Sequence, residues 1–179
     1  MNYCSHCGAE VAVRIPDGDN LPRHVCDGCG RVHYSNPKLV VGCIAEWQER
    51  ILLCRRAIEP RHGLWTIPAG FMENRETTEQ AAARETQEEA LAEVVDLVPY
   101  GLFDLPGISQ VYLVYRARMR SADHGPGDES LESRLVDPAS IPWDELAFPV
   151  IEEVLRHYVA DRERGDYPLR TGVLVRRLG

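Results

Sequence analysis

A single α/β domain behind a small cysteine-rich module is the architecture this sequence predicts, and three observations predict it. Four of the six cysteines fall within the first 36 residues, as two Cys-x2-Cys pairs with no helical period around them. From Leu39 onward, apolar and β-branched runs are interleaved with two amphipathic, helix-forming stretches. The length of 179 residues, 44% hydrophobic and 27% charged, supports one ordinary core and argues against disorder or a fibrous repeat.

In chain order, the first segment carries the turn-forming Asp17-Gly18 and Gly28-Cys29-Gly30, and Asn36-Pro37 closes it, which divides the chain into 1–36 and 37–179. Residues 39–45 read as a buried strand and residues 51–54 as its partner across the polar Gln48-Glu49-Arg50 turn. A loop follows, then the short apolar stretch 64–67. Residues 77–95 read as a helix: Thr77 followed by Gln80 is a capping-box signature, and Ala, Glu, Arg and Gln dominate after it. Residues 111–119 read as a strand and 121–130 as a loop. Val150, Ile151, Val154, Leu155, Tyr158 and Val159 give a second amphipathic helix, and 172–178 reads as a last strand.

Acids number 28 against 20 Lys plus Arg, a net charge of −8. Such a surface argues against nonspecific binding to nucleic acid or to an anionic membrane, both of which need a basic patch. A protein of this charge that handles phosphates needs metal ions to offset it. No apolar run approaches the roughly 18 residues of a membrane span. The start, Met1-Asn2-Tyr3-Cys4-Ser5-His6-Cys7, lacks the basic and apolar regions of a secretory signal. A cytoplasmic location is therefore expected, with the cysteines reduced.

Cys4-x2-Cys7 and Cys26-x2-Cys29 stand 18 residues apart. Two thiolates two residues apart grip one edge of a tetrahedron, and a second such knuckle closes it, so the spacing points to a structural Zn2+. Gly8 and Gly30 permit the tight turn after each knuckle. His6, His24 and His33 are the alternative ligands. Cys43 and Cys54 fall in expected strands and read as core.

On a helix, Glu85, Glu88 and Glu89 share one face, being at i, i+3 and i+4. Crowded carboxylates repel unless cations neutralise them, and Mg2+ or Mn2+ prefers carboxylate oxygen. A solvated surface face is the competing reading. Glu76 and Arg84 are expected to form an ion pair joining the helix to the loop before it. Gly70 lets that loop turn and is expected to expose its carbonyl to a metal.

Gly70, five residues, Glu76, seven residues, then Arg84-Glu85-x-x-Glu88-Glu89 resembles the signature of the Nudix hydrolases. Two positions depart from it. Thr86 replaces an aliphatic residue, and Leu91 replaces the glycine that ends the helix, so this helix is expected to run slightly longer. A ribbon leading through Tyr34-Ser35-Asn36-Pro37-Lys38 is similar to that of NADH pyrophosphatases, but the tract Ser-Gln-Pro-Trp-Pro-Phe-Pro that marks them is missing. More closely, the chain resembles plant chloroplast Nudix enzymes that hydrolyse FAD, in residues 62–70, 125–132 and 141–148.

The resemblance implies an α/β/α sandwich with a mixed sheet and hydrolysis of a nucleoside diphosphate linked to another moiety. Mg2+ or Mn2+ on Glu85, Glu88 and Glu89 is the implied cofactor, and AMP the implied product, from FAD with FMN or from ADP-ribose with ribose 5-phosphate. The general base in the family is a glutamate of the signature or one from a downstream loop. Glu129 is the candidate here, an ordinary loop acid being its competing reading. Trp65, Tyr112 and Tyr115 are candidates for stacking on a base, with core packing as the alternative, and Arg55 or Arg56 for a phosphate contact. The expected partner is a small nucleotide, with no nucleic acid or membrane, and the expected assembly a homodimer. NADH hydrolysis, a non-catalytic nucleotide sensor and an RNA-binding ribbon are the rival functions. The sensor has no need of the glutamates. The ribbon sets Arg14, Arg23 and Arg31 against Glu10, Asp17, Asp19 and Asp27, a poor footprint for RNA.

Overall fold

The computed structural model describes residues 1–175. The end of the strand expected over 172–178 lies outside the described residues. Contacts divide the chain into two compact units, Met1–Pro37 and Lys38–Gly179. The first is an antiparallel ribbon of β1 (Val11–Arg14), β2 (Arg23–Cys26) and β3 (Val32–His33), in that order across the sheet. Gly8 and Gly30, at φ 75° and 70°, turn the chain in the left-handed region that side chains resist.

The second unit runs β4 (Lys38–Trp47), β5 (Arg50–Arg56), β6 (Trp65–Thr66), β7 (Ala69–Phe71), α1 (Thr78–Ala90), β8 (Val94–Leu105), β9 (Gln110–Met119), β10 (Ser130–Val136), α2 (Pro149–Arg164) and β11 (Arg170–Val173). Its main sheet has the order β10-β5-β4-β9-β8-β11. The β4–β9 and β8–β11 pairs are parallel and the others antiparallel, so the sheet is mixed. In β4 the run from Val40 to Ala45 is buried without a break, because both faces of the sheet are covered. Ala81, Ala82 and Ala90 of α1 pack with Val41, Cys43 and Leu52 on one face. Val150, Ile151, Val154 and Leu155 of α2 pack with Val40, Ile44 and Leu53 on the other. This is the three-layer α/β/α sandwich expected from the sequence. Among the described residues no helix is long and apolar enough to cross a membrane.

The β4–β5 hairpin pairs only at its closed end, Glu46 with Ile51 and Trp47 with Arg50. Beyond that the strands part. Further along, β7 pairs with β4, Gly70 opposite Val41, while β6 pairs with β5, Trp65 opposite Arg55. This places Gly70 directly beneath α1.

The helix begins as expected. Thr77 Oγ1 accepts from the Gln80 N–H at 3.2 Å, and Gln80 Oε1 accepts from the Thr77 N–H at 2.8 Å. It does not reach residue 95, nor does the lost glycine lengthen it. Leu91 itself takes the left-handed cap at φ 49°, its N–H donating to the Gln87 carbonyl at 3.0 Å. Val94 and Val95 belong instead to β8, a twelve-residue strand. Residue 130, read as loop, opens the edge strand β10.

Candidate active site

Helix α1 presents Glu85 and Glu89 toward β7, with Glu88 more exposed beside Arg84. A Cβ on Gly70 would overlap the Glu85 carboxylate, so only glycine admits that side chain against the strand. Glu89 is 6% exposed and accepts from the Ala69 N–H at 3.0 Å. Its burial pushes the carboxyl up to about 8; the Ala69 N–H opposes this and the nearby Glu85 adds to it. Burial raises Glu85 as well, against the pull of Arg84.

Arg84 ties the site to its leading loop. Its Nε and Nη2 donate to both oxygens of Glu76 at 3.0 and 2.8 Å, a bidentate pair. Its Nη1 donates to Glu85 at 2.8 Å and to Glu88 at 2.9 Å, and its Nη2 to the Phe71 carbonyl at 3.2 Å. Arg84, with the Glu73 N–H, holds the Glu76 carboxyl down at about 2. One guanidinium thus faces three carboxylates, and Glu89 is left with the Ala69 N–H as its donor.

These glutamates open into a cavity of about 1590 Å³ that also takes in Gly70, Glu129, Arg56, Arg61, Tyr112 and Phe148. Arg56 donates through Nε to the Pro60 carbonyl at 3.0 Å, with its guanidinium 5.1 Å from the Phe148 ring centroid. Among the described residues no carboxylate pairs with it. The cavity is therefore acidic on the α1 side and basic and aromatic on the side of β5 and the start of α2.

Of the aromatic residues singled out in the sequence, Tyr112 lines this cavity, and Trp65 and Tyr115 do not. Trp65 is 4% exposed in the core beneath α2, with Arg134 over its ring at 4.9 Å. Tyr115 packs on the opposite face under α1, its hydroxyl 2.6 Å from that of Thr78. Both are corrected from stacking candidates to core residues. Arg55 is corrected as well: its Nε donates to the Gly63 carbonyl at 2.8 Å, so it fastens the loop after β5. Phe148 and Arg61 were missed. Phe148 precedes Pro149 at the helix start and carries no periodic signal, and Arg61 is one exposed loop arginine among several.

In the ribbon, the Sγ atoms of Cys4, Cys7, Cys26 and Cys29 all lie within 4.8 Å of one another. Cys4 and Cys29 stand 3.8 Å apart and Cys7 and Cys26 3.4 Å. A tetrahedron of sulfurs about 2.3 Å from a central Zn2+ has edges of about 3.8 Å, so the spacing fits that ion. The charges fit too. The Cys29 N–H holds Cys26 down at about 6, and N–H groups of His6 and Cys7 outweigh burial to hold Cys4 at about 7. For Cys7 the Ala9 N–H is outweighed by the sulfurs of Cys26 and Cys29, which push it up to about 12. Four sulfurs this close need a cation to be thiolates together. His33 stands one step out, its Nε2 3.2 Å from the Cys4 sulfur.

The glutamate carboxylates do not converge to the same degree, since the cysteines are the one such group among the described residues. Their hard oxygen donors and uncompensated charge nonetheless suit Mg2+ or Mn2+ better than a soft ion.

Residues 2–35 match the family described as Nudix N-terminal, a zinc ribbon, and residues 36–159 the NUDIX domain. A NUDIX hydrolase from Nitrosomonas europaea, known from its crystal structure, is 51% identical with a TM-score of 0.93, over 97% of this chain and 99% of that one. An NAD-capped RNA hydrolase NudC from Photobacterium profundum is 27% identical over 87% of this chain and 58% of its own length. An ADP-ribose pyrophosphatase from Methanocaldococcus jannaschii is 29% identical over 70% of this chain and 75% of its own. The chain spans about three fifths of the length of the NAD-capped RNA hydrolases it matches. With the NUDIX domain matched over most of its length and a 51% identical relative aligned end to end, the chain belongs to the Nudix hydrolase family.

Proposed function

We propose that this chain is a divalent-metal-dependent diphosphatase that cleaves a dinucleotide-type substrate, FAD to FMN and AMP or ADP-ribose to AMP and ribose 5-phosphate. One observation carries the reading: Glu85, Glu88, Glu89 and Glu129 gather on one wall of a large cavity whose other wall offers Arg56, Tyr112 and Phe148. Glu85, Glu88 and Glu89, with the Gly70 carbonyl, would hold Mg2+ or Mn2+. Bound there, such ions polarise phosphoryl oxygens and lower the pKa of water. Arg84 keeps the Glu85 and Glu88 carboxylates oriented. Glu129, which lines the same cavity, would accept the proton of an attacking water at its carboxylate. Arg56, with no carboxylate partner among the described residues, is a donor for the diphosphate, and Tyr112 and Phe148 give the base an apolar wall.

The relative named ADP-ribose pyrophosphatase supports the substrate class. The resemblance over residues 62–70, 125–132 and 141–148 supports FAD within it. A second reading, action on NAD-type dinucleotides or NAD-capped RNA, is favoured by the names of several relatives. The missing tract and the acidic surface weigh against it. The test is AMP release from FAD, ADP-ribose, NADH and an NAD-capped RNA, each with Mg2+ or Mn2+. FAD or ADP-ribose should be turned over fastest; NADH or capped RNA far ahead of both would overturn the substrate assignment.

A further inference from the structure

The loop after β9 returns along the end of α1. The Gly125 N–H donates to the Ala90 carbonyl at 2.9 Å and the Gly127 N–H to the Glu89 carbonyl at 3.1 Å. Both carbonyls lie in the last turn, where a helix has no partners of its own to offer them. The loop is held from its other side too, where the Glu129 carbonyl accepts from the Ala57 N–H at 2.8 Å, and its own turn is closed by the Ser130 N–H donating to the Gly127 carbonyl at 3.0 Å. A Cβ on Gly127 would overlap the backbone carbonyl of Glu88, which belongs to the helix and cannot swing aside. A Cβ on Gly125 meets only Leu91 Cδ1, at 3.5 Å, an ordinary contact.

We propose that Gly127 is a positioning residue, whose lack of a side chain lets the loop seat on the carbonyls of α1 and so fixes Glu129 on the same wall of the cavity as Glu85 and Glu89. The inference rests on the diphosphatase reading above. It makes Glu129 a fixed group of the cavity wall rather than one carried in by a moving loop. A larger residue at 127 lifts the loop off the helix and takes Glu129 with it.

The test is steady-state kinetics on ADP-ribose and FAD at saturating Mn2+. Gly127→Ala should lower kcat about tenfold or more with KM within about twofold, while Gly125→Ala stays within about twofold of wild type. In a Glu129→Gln background, which is itself slow, Gly127→Ala should cost less than about twofold more, because the group it positions is already gone. Wild-type kcat for Gly127→Ala or Glu129→Gln, or an equal loss in both backgrounds, overturns the proposal. Amide exchange at Gly127 in the wild-type chain should be slowed about tenfold or more; exchange at the free-peptide rate also overturns it, whether or not Gly127→Ala folds. If wild type hydrolyses neither substrate, the diphosphatase reading fails, and the exchange result still decides whether the loop is seated.

Discussion

Burial pushes the Glu89 carboxyl up to about 8, whereas Arg84 holds Glu76 down at about 2. The two acids have opposite effects on stability with pH. A raised acid stabilises the fold below its unfolded value of roughly 4.5 and loses that contribution as pH rises toward its folded value. The metal-free chain should therefore lose stability through Glu89 between pH 4.5 and about 8. A depressed acid stabilises above its unfolded value, so the contribution of Glu76 is lost only as pH falls from 4.5 toward about 2. Thermal unfolding in chelator, scanned over pH, reads both. Glu89→Gln should flatten the neutral limb and raise the midpoint at pH 8; an unchanged limb would show that Glu89 carries no buried charge. At this scale the shared face of Glu85, Glu88 and Glu89 was legible, because helical spacing alone sets it. Parity in β9 separates its two tyrosines. Tyr112 and Tyr115 are three apart on a strand, so one cavity cannot take both.

Helix α1 ends where its sequence offers no stop signal. Leu91 occupies a left-handed cap at φ 49° and is half exposed, so it bears backbone strain with little burial in return. Leu91→Gly should relieve that strain and stabilise the protein by about 0.5 to 1 kcal/mol, after the larger chain entropy of glycine is set against it. Calorimetry checks this; a lower midpoint would mean that the Leu91 side chain contributes more by packing than its exposure implies. The same absence of signal let the helix be read on to residue 95. Strand β8 could not be read because it is not regular. Its register shifts between Val95 and Val98 and again between Pro99 and Gly101, and Asp96 sits at φ 57°, so no two-residue alternation survives. By contrast β4 was legible, since burial on both faces leaves a continuous apolar run.

For the molecule as a whole, the change of texture at Asn36-Pro37 falls within a residue of the division between the compact units at Pro37 and Lys38. A ribbon of this size buries too little apolar surface to fold unaided. It should hold one tightly bound Zn2+ per chain, and Cys26→Ser or strong chelation should unfold it, while the second unit keeps its own two-sided core. Elemental analysis and amide exchange read these separately; a zinc-free chain whose ribbon amides stay protected would contradict the assignment. The cavity was the least legible feature. It draws on β4, β5, β7, α1, β9, the loop before β10 and the start of α2, and Phe148 meets Arg56 only through the fold.

AMP release at saturating Mn2+ or Mg2+ from wild type and from Glu85→Gln, Glu88→Gln and Glu89→Gln tests the metal-dependent diphosphatase reading most directly. Gln keeps the length and helix propensity of Glu, so α1 should survive each change. It removes a charge from a face that needs several to hold divalent ions. Losing roughly 3 kcal/mol of transition-state stabilisation slows turnover on the order of a hundredfold, and Glu89→Gln should show a loss of that size. Near-wild-type rates for all three variants would contradict the metal site, and the enzyme with it.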